Sequence, residues 1–169
     1  MSGHIVGINP GAVYTEAEAL QGKCPAAGTR GFASDNKEYV LCKAAASQNL
    51  VRGHVVTIAS GFVVTVAAAG PPAASRSDAL GVVGASTTLS ASSFGWVQIA
   101  GATSVLATAS TLPGVMLTMS AAAGTVDDAV SSTSGVIHGM TLLATTGASG
   151  LTAALLNYPR FNAPSHTLT

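Results

Sequence analysis

The sequence is poor in charged residues. Asp, Glu, Lys and Arg make up 8% of its 169 residues, whereas soluble domains average about 25%. The seven basic residues equal the seven acidic ones in number, so the net charge is near zero. Because no basic run is present, we expect no nucleic acid and no membrane surface as partner. A net charge near zero also reduces repulsion between copies and favours self-association.

Long apolar runs and targeting signals are also lacking. The best candidate for a membrane segment, residues 55–69, is shorter than the ~20 residues that a spanning helix needs. Ser60 and Gly61 interrupt it, and its β-branched residues favour a hairpin. The start of the chain has no basic stretch followed by an apolar core, so no secretory signal is predicted. We therefore expect synthesis and folding in a cytoplasm.

Cysteine is nearly absent. Cys24 and Cys42 are too few for the disulfide framework of small secreted domains. Two reduced thiols are the first interpretation, and a Cys24–Cys42 disulfide or a reactive thiol remains an alternative. The histidines lie far apart and none has the spacing of a zinc site: they are His4, His54, His138 and His166. We expect no metal and no cofactor.

Motifs for catalysis are missing as well. Asp127 and Asp128 are adjacent, and adjacent side chains on a strand point to opposite faces, so they do not form a carboxylate dyad. No Gly-x-Ser-x-Gly sequence occurs. Gly22-Lys23 is followed by Cys24 instead of the Ser or Thr of a phosphate-binding loop. The sequence therefore predicts a protein that is not an enzyme.

What the sequence does contain begins with a distinct amino-terminal segment. Residues 1–36 are rich in glycine and proline and show no sustained hydrophobic period, which predicts an extended arm. One helical turn is predicted at residues 15–20, with Thr15 and Glu18 forming a capping box. The apolar residues of the arm would gain nothing in water, so we expect them to pair with the sheet edge of a partner. These candidate contact residues are Ile5, Val6, Ile8, Val13 and Tyr14.

The remainder reads as β-structure. Short runs of Val, Ile, Thr and aromatic residues alternate with Gly, Pro and Ser, which is typical of strands joined by tight turns. The predicted fold is all-β: a small β-barrel or sandwich of short antiparallel strands over residues 37–158, with a tail at 159–169. At most one or two short helices are expected, and residues 44–50 are an alternative position for one of them. Strands are predicted at residues 38–43, 54–58, 62–67, 79–83, 96–99, 104–107, 115–119, 136–143 and 151–156.

The only tryptophan, Trp96, shares one strand face with Phe94 and Gln98. Two interpretations remain open for it. In the first, the aromatic pair plugs one end of a small barrel. In the second, Trp96 anchors a contact with a neighbouring subunit and Gln98 binds a backbone edge.

The carboxyl-terminal segment offers a second group of contact residues. Prolines at positions 159 and 164 keep the chain extended. Two aromatic side chains and one cation in this segment could attach it to a partner. We predict Tyr158, Arg160 and Phe161 as further contact residues.

Two neighbouring motifs carry a resemblance. The sequence has Asp-Ala-Leu-Gly-Val-Val at residues 78–83 and Gly-Trp-Val-Gln-Ile-Ala-Gly at residues 95–101. This block resembles the head decoration or cement proteins of tailed bacteriophages, and the resemblance covers roughly residues 37–159. It implies a structural virion protein on the outer capsid surface that cements adjacent major capsid protein subunits, often as a homotrimer. The long arm and the scarcity of acidic residues depart from the simplest members.

Two other functions stay open. The chain could be another virion part, namely a head fibre base, a tail component or a small coat protein. From a different class, it could be a bacterial β-barrel module that binds a ligand.

Overall fold

The computed structural model describes residues 4–33, 36–68, 79–84, 88–128 and 135–162. These residues form twelve strands of one continuous sheet, which confirms the predicted all-β class. The helical part that the structure describes is α1 (Glu16–Leu20) and a single 3-10 turn, Ser60–Phe62. The strands are β1 (His4–Val6), β2 (Val13–Tyr14), β3 (Arg30–Phe32), β4 (Glu38–Ala44), β5 (Val55–Ile58), β6 (Val63–Val66), β7 (Ala79–Val83), β8 (Phe94–Ala107), β9 (Leu117–Met119), β10 (Val126–Asp127), β11 (Val136–Leu142) and β12 (Gly150–Asn162).

Five strands close into a first ring in the order β4, β6, β5, β7 and β8. The ring closes at Val97 and Gln98 of β8, which pair with β4 on one side and with β7 on the other. β-branched residues on alternate positions fill its interior, as expected for a small barrel. The interior side chains include Val40, Cys42, Val56, Val64, Val83, Val97 and Ile99.

A second ring shares β8 with the first. The carboxyl-terminal half of β8 pairs with β12, and β11, β9 and β10 lead back to Ala107 of β8. Its interior is a separate apolar cluster that includes Val105, Leu117, Val126, Met140, Leu142 and Leu156. The fold is therefore two small barrels that share β8; they are also joined where Ala79 of β7 pairs with Arg160 of β12 and where Val55, Leu80 and Val82 pack in the second cluster.

Gly101 lies where β8 passes from one ring to the other. Its φ of 92° belongs to the left-handed region, and an added Cβ would come within 3.1 Å of the Cα of Lys37. The sequence predicted two strands separated at this glycine, at residues 96–99 and 104–107. That division was wrong, because Gly101 bends the strand without ending its pairing with β12.

The segment predicted as an arm lies against the first barrel. β3 pairs with β4, and β2 pairs with the start of β8, so residue 37 marks no break in the sheet. β4 is buried on both faces because Val40 points into the barrel while Tyr39 points toward this amino-terminal cover. Residues 1–3 and 34–35 of the predicted arm lie outside the described residues.

Two further local expectations have opposite outcomes. The capping box of α1 is confirmed: the Glu18 amide donates to Thr15 Oγ1 at 3.2 Å, and the Thr15 amide donates to Glu18 Oε2 at 2.7 Å. The alternative helix at residues 44–50 is absent from this described stretch, where turns lead to a bridge between Leu50 and Leu89. Three consecutive alanines are too few to offset the cost of starting a helix.

Candidate functional site

The predicted contact residues of the amino-terminal segment pair with strands or pack against side chains of the same chain. Ile5 and Val6 lie on β1, which pairs in parallel with β3. Val13 packs against the interior cluster of the first barrel. Ile8 and Tyr14 pack against the cluster of Tyr39, Leu41 and Trp96 on the outer face of β4 and β8. In the isolated chain this segment therefore covers the chain's own barrel.

Three of the predicted contact residues are buried. Trp96 and Gln98 are each 2% exposed and Phe161 is 6% exposed, so none of them offers a surface to a partner. Trp96 packs under the amino-terminal segment, on the outer face of β4 and β8, so it is a buried residue but does not plug the barrel interior as the first interpretation had it. The Gln98 amide nitrogen donates to the carbonyls of Ala100 and Ala102, at 3.0 and 2.9 Å. Gln98 therefore binds the backbone of its own strand near the bend.

Tyr158 and Arg160 do line an open site. They border a cleft of about 550 Å³ at one mouth of the first barrel. The predicted tail is not separate from the sheet, because β12 continues through both residues to Asn162. Residues 163–169 of the predicted tail lie outside the described part. The floor and walls of the cleft are aliphatic, and they include Val40, Ile58, Leu80 and Ile99.

A buried carboxylate organises the rim of this cleft. Glu38 is 4% exposed, and its Oε1 accepts a hydrogen bond from the Arg30 guanidinium at 2.8 Å. Its Oε2 accepts a hydrogen bond from the Tyr158 hydroxyl at 2.5 Å. The Arg30 guanidinium also lies 6.0 Å from the centre of the Tyr158 ring. The hydrogen bond to Glu38 raises the pKa of Tyr158, so the phenol stays protonated and keeps donating.

A bulge in the sheet directs Tyr158 toward this carboxylate. His138 pairs with Arg160 and Met140 with Leu156, so the single residue Gly139 faces residues 157–159 of β12. A Cβ on Gly139 would lie 2.3 Å from the Asn157 carbonyl oxygen, and its φ is 76°. Glycine is therefore required here, and the bulge turns Tyr158 out of the regular alternation.

Phe62 is another residue that lines this cleft. Its ring lies directly over Gly28, where an added Cβ would be 2.2 Å from the ring. Phe62 and Tyr158 have φ values of 58° and 48°, in the left-handed region. Five described residues other than glycine have a positive φ. Phe62 and Tyr158 are the two aromatic ones, and the others are Asn36, Ser92 and Ser110. Bulky residues adopt this conformation at a cost of about 1–3 kcal/mol each, and such strain is concentrated at ligand sites.

A smaller cleft of about 280 Å³ lies on another side of the barrel. Lys37 and Arg52 border it together with Thr103, Ser104 and the buried Gln98. Its lining is mainly polar, and the Gln98 amide already donates to two backbone carbonyls. We place the candidate ligand site in the larger cleft for this reason.

The second barrel presents a different kind of surface. The outward positions of β12 are apolar, and Leu151 and Leu155 are 49% and 47% exposed. Leu143, just beyond β11, is 55% exposed beside them. We call these outward residues of β11 and β12 the apolar outer face. No Asp, Glu, Lys or Arg occurs in residues 129–159, so both strands carry no charge up to Arg160.

Several of these site residues were not predicted from the sequence. Arg30, Glu38 and Phe62 were not singled out, because each is an isolated residue in its own segment. A usable signal was the distribution of charge, since residues 79–126 and 129–159 contain no charged side chain at all. An isolated Glu beside a β-run, at the start of β4, is the other signal.

The part of the chain that the structure describes has neither a cluster of metal ligands nor a membrane-spanning helix. Among the described residues, no group of three or more His, Cys, Asp or Glu side chains could hold a metal ion. Cys24 and Cys42 are both free thiols. No helix in the described ranges is long and apolar enough to cross a membrane. Comparison with models of protein families gives no match, and comparison with curated proteins gives none either.

Proposed function

We propose that this chain is a structural virion protein that cements the head of a tailed bacteriophage. In this function it binds the outside of the expanded capsid, contacts adjacent major capsid protein subunits and associates with copies of itself as a homotrimer. The proposal continues the resemblance of the two motifs at residues 78–83 and 95–101. The apolar outer face of the second barrel is the observation that supports it best.

Burial of the apolar outer face against a partner would stabilise the complex. Leu143, Leu151 and Leu155 are each about half exposed, in a stretch without Asp, Glu, Lys or Arg from residue 129 to residue 159. Burying such a surface stabilises a complex by about 25 cal/mol per Å² of apolar area, and no charge in this stretch has to be desolvated. A contact of modest affinity is enough for a cement protein, because each capsid binds many copies and linked copies gain avidity.

The test is co-sedimentation with expanded heads built from the major capsid protein encoded in the same genome. Leu155→Glu places a charge at the centre of the outer face, and it should reduce the bound fraction at least about tenfold. Leu20→Glu is the matched control, because Leu20 is 86% exposed on α1, in the amino-terminal segment that covers the other barrel. It should bind as the unmodified protein does.

Two results would overturn the proposal. The first is unmodified protein that stays in the supernatant at every head concentration. The second is equal loss of binding in Leu155→Glu and Leu20→Glu, which would mean that added charge, and not the outer face, causes the loss. Sedimentation velocity without heads shows separately whether the outer face holds the trimer.

A further inference from the structure

The cleft at the mouth of the first barrel has the composition of a ligand site. Its volume of about 550 Å³ lies within the 300–1,000 Å³ of typical small-molecule pockets, which often occupy barrel mouths. The aliphatic side chains of Val40, Ile58 and Ile99 form its depth, and polar groups stand only at its rim. A ligand would therefore insert an apolar body and keep one polar end at the opening.

The charges at the rim determine which charge the polar end of the ligand should carry. Glu38 and Arg30 neutralise each other through the 2.8 Å ion pair. Arg160 is exposed at the same rim, and its guanidinium has no ion-pair partner among the described residues. Among the described residues of the rim, one positive charge is thus left over, and a guanidinium presents paired N–H donors that match a carboxylate.

The backbone adds an independent observation. Phe62 and Tyr158, which both line the cleft, have left-handed backbone conformations that aromatic residues rarely adopt. Gly28 leaves space for the Phe62 ring, and Gly139 leaves space for the bulge that turns out Tyr158. The fold therefore tolerates two local strains that keep aromatic rings at the opening of one cleft.

We propose that this cleft binds a small amphipathic carboxylate, with its apolar or aromatic body among Val40, Ile58 and Ile99 and its carboxylate on Arg160. Phe62 and Tyr158 flank the ligand at the rim, and Glu38 holds Arg30 and Tyr158 in position. The cleft lies between the first barrel and the carboxyl-terminal end of β12, and none of the outer-face residues Leu143, Leu151 and Leu155 lines it. A test of ligand binding in this cleft is therefore independent of the test of capsid attachment.

The experiment uses three probes that share one body: phenylbutyrate, phenylbutanol and phenylbutylamine. Their binding to the full chain is measured by isothermal titration calorimetry. The acid should bind at least about tenfold more tightly than the alcohol or the amine, because a charge-assisted hydrogen bond is lost in the alcohol and the charge is reversed in the amine.

Four variants locate the contact. Arg160→Met should weaken acid binding about tenfold, whereas Arg160→Lys keeps the positive charge but not the paired N–H donors, so it should weaken binding by less. Arg52→Met is the matched control, because Arg52 borders the smaller cleft, and it should leave the affinity unchanged. Ala79 is an exposed residue at the cleft, so Ala79→Phe should fill the mouth and block all binding while the fold is kept.

Each alternative outcome contradicts the proposal in its own way. Equal affinity for acid, alcohol and amine would show an apolar cleft without anion selectivity. Unchanged acid binding in Arg160→Met or in Ala79→Phe would place the acid elsewhere on the protein. Absence of binding by any probe at millimolar concentration would show that the cleft is not a site for ligands of this class. Circular dichroism melting of every variant confirms that the fold is intact before binding is compared.

Discussion

The hydroxyl of Tyr158 donates a hydrogen bond to the carboxylate of Glu38, a residue 120 positions earlier in the chain. The same carboxylate binds Arg30, so a single buried side chain joins β3, β4 and β12. Arg30 belongs to the segment predicted as an arm, and Glu38 and Tyr158 belong to the predicted barrel domain. Glu38 thereby fixes β3 and β12 to β4 at the rim of the cleft.

Tyr158→Phe tests this link. Loss of a hydrogen bond to a charged acceptor at a half-exposed site should lower the free energy of unfolding by about 1 kcal/mol. Because Glu38 raises the pKa of Tyr158, the contribution is complete below the ordinary value of 10.0 and is lost as the pH rises through the folded-state pKa. Urea denaturation at neutral and at alkaline pH measures both effects.

Tyr14→Phe serves as the control for that variant. The Tyr14 hydroxyl makes no hydrogen bond to any residue in the described ranges, so its removal should change stability by less than about 0.5 kcal/mol. Equal losses in the two variants would show that the bond to Glu38 contributes nothing specific. A difference that persists unchanged above pH 10.0 would contradict the pKa argument.

The strands were the most predictable part of the fold. The prediction for residues 79–83 coincides with β7, and β4, β5 and β11 were found within a residue or two at each end. The alternation of apolar and polar residues and the flanking glycines are local sequence signals, and they are sufficient to locate strands. The two-residue strand β10 was missed because it is too short for any period to appear.

Ring closure and the cleft could not be predicted in the same way. Closure depends on β8 pairing along its two halves with different partners, which no local pattern records. Tyr158 was recognised as an attachment residue, but its direction depends on the bulge opposite Gly139. The amino-terminal segment lacked a period because it covers the barrel with scattered side chains such as Ile8 and Tyr14.

Trp96→Ala distinguishes the core function of this side chain from a contact function. Trp96 is 2% exposed and packs against Tyr39 and Leu41. Truncating a buried Trp should cost about 3–5 kcal/mol of unfolding free energy, a large part of the 5–15 that a domain of this size typically has. Leu155→Ala, on the exposed outer face, should cost less than about 0.5 kcal/mol. Unchanged stability with lost head binding in Trp96→Ala would instead make it a contact residue.

The two cysteines should differ in reactivity. Burial raises the pKa of the Cys42 thiol to about 12, and its side chain is fully enclosed in the first barrel. Cys24 is only partly buried; desolvation, with a smaller contribution from Glu18, raises its pKa, and its thiol donates to the Pro25 carbonyl at 3.2 Å. Because the thiolate is the reactive form, a disulfide reagent should label Cys24 slowly and Cys42 only after unfolding. Cys24→Ser should abolish native-state labelling, and equal labelling of both thiols in the folded protein would contradict the packing of β4.

His54 should make the fold sensitive to acid. Its Nδ1 accepts a hydrogen bond from the Val51 amide at 3.3 Å, and its ring packs close to Gly124. Desolvation lowers the pKa of His54 below its ordinary value of 6.5. Between these two values the unfolded chain binds more protons than the folded protein, so stability is constant above 6.5 and falls as the pH drops toward the folded-state pKa.

His54→Asn removes the titrating group and keeps an oxygen that can accept from the Val51 amide. Unfolding free energies on both sides of pH 6.5 should therefore show a smaller decrease with acid in this variant than in the unmodified protein. The comparison is made as the change between the two pH values, so a uniform loss of stability in the variant does not affect it. An identical acid dependence in both proteins would show that His54 is protonated as easily in the fold as in the unfolded chain, and the desolvation argument at this residue would be wrong.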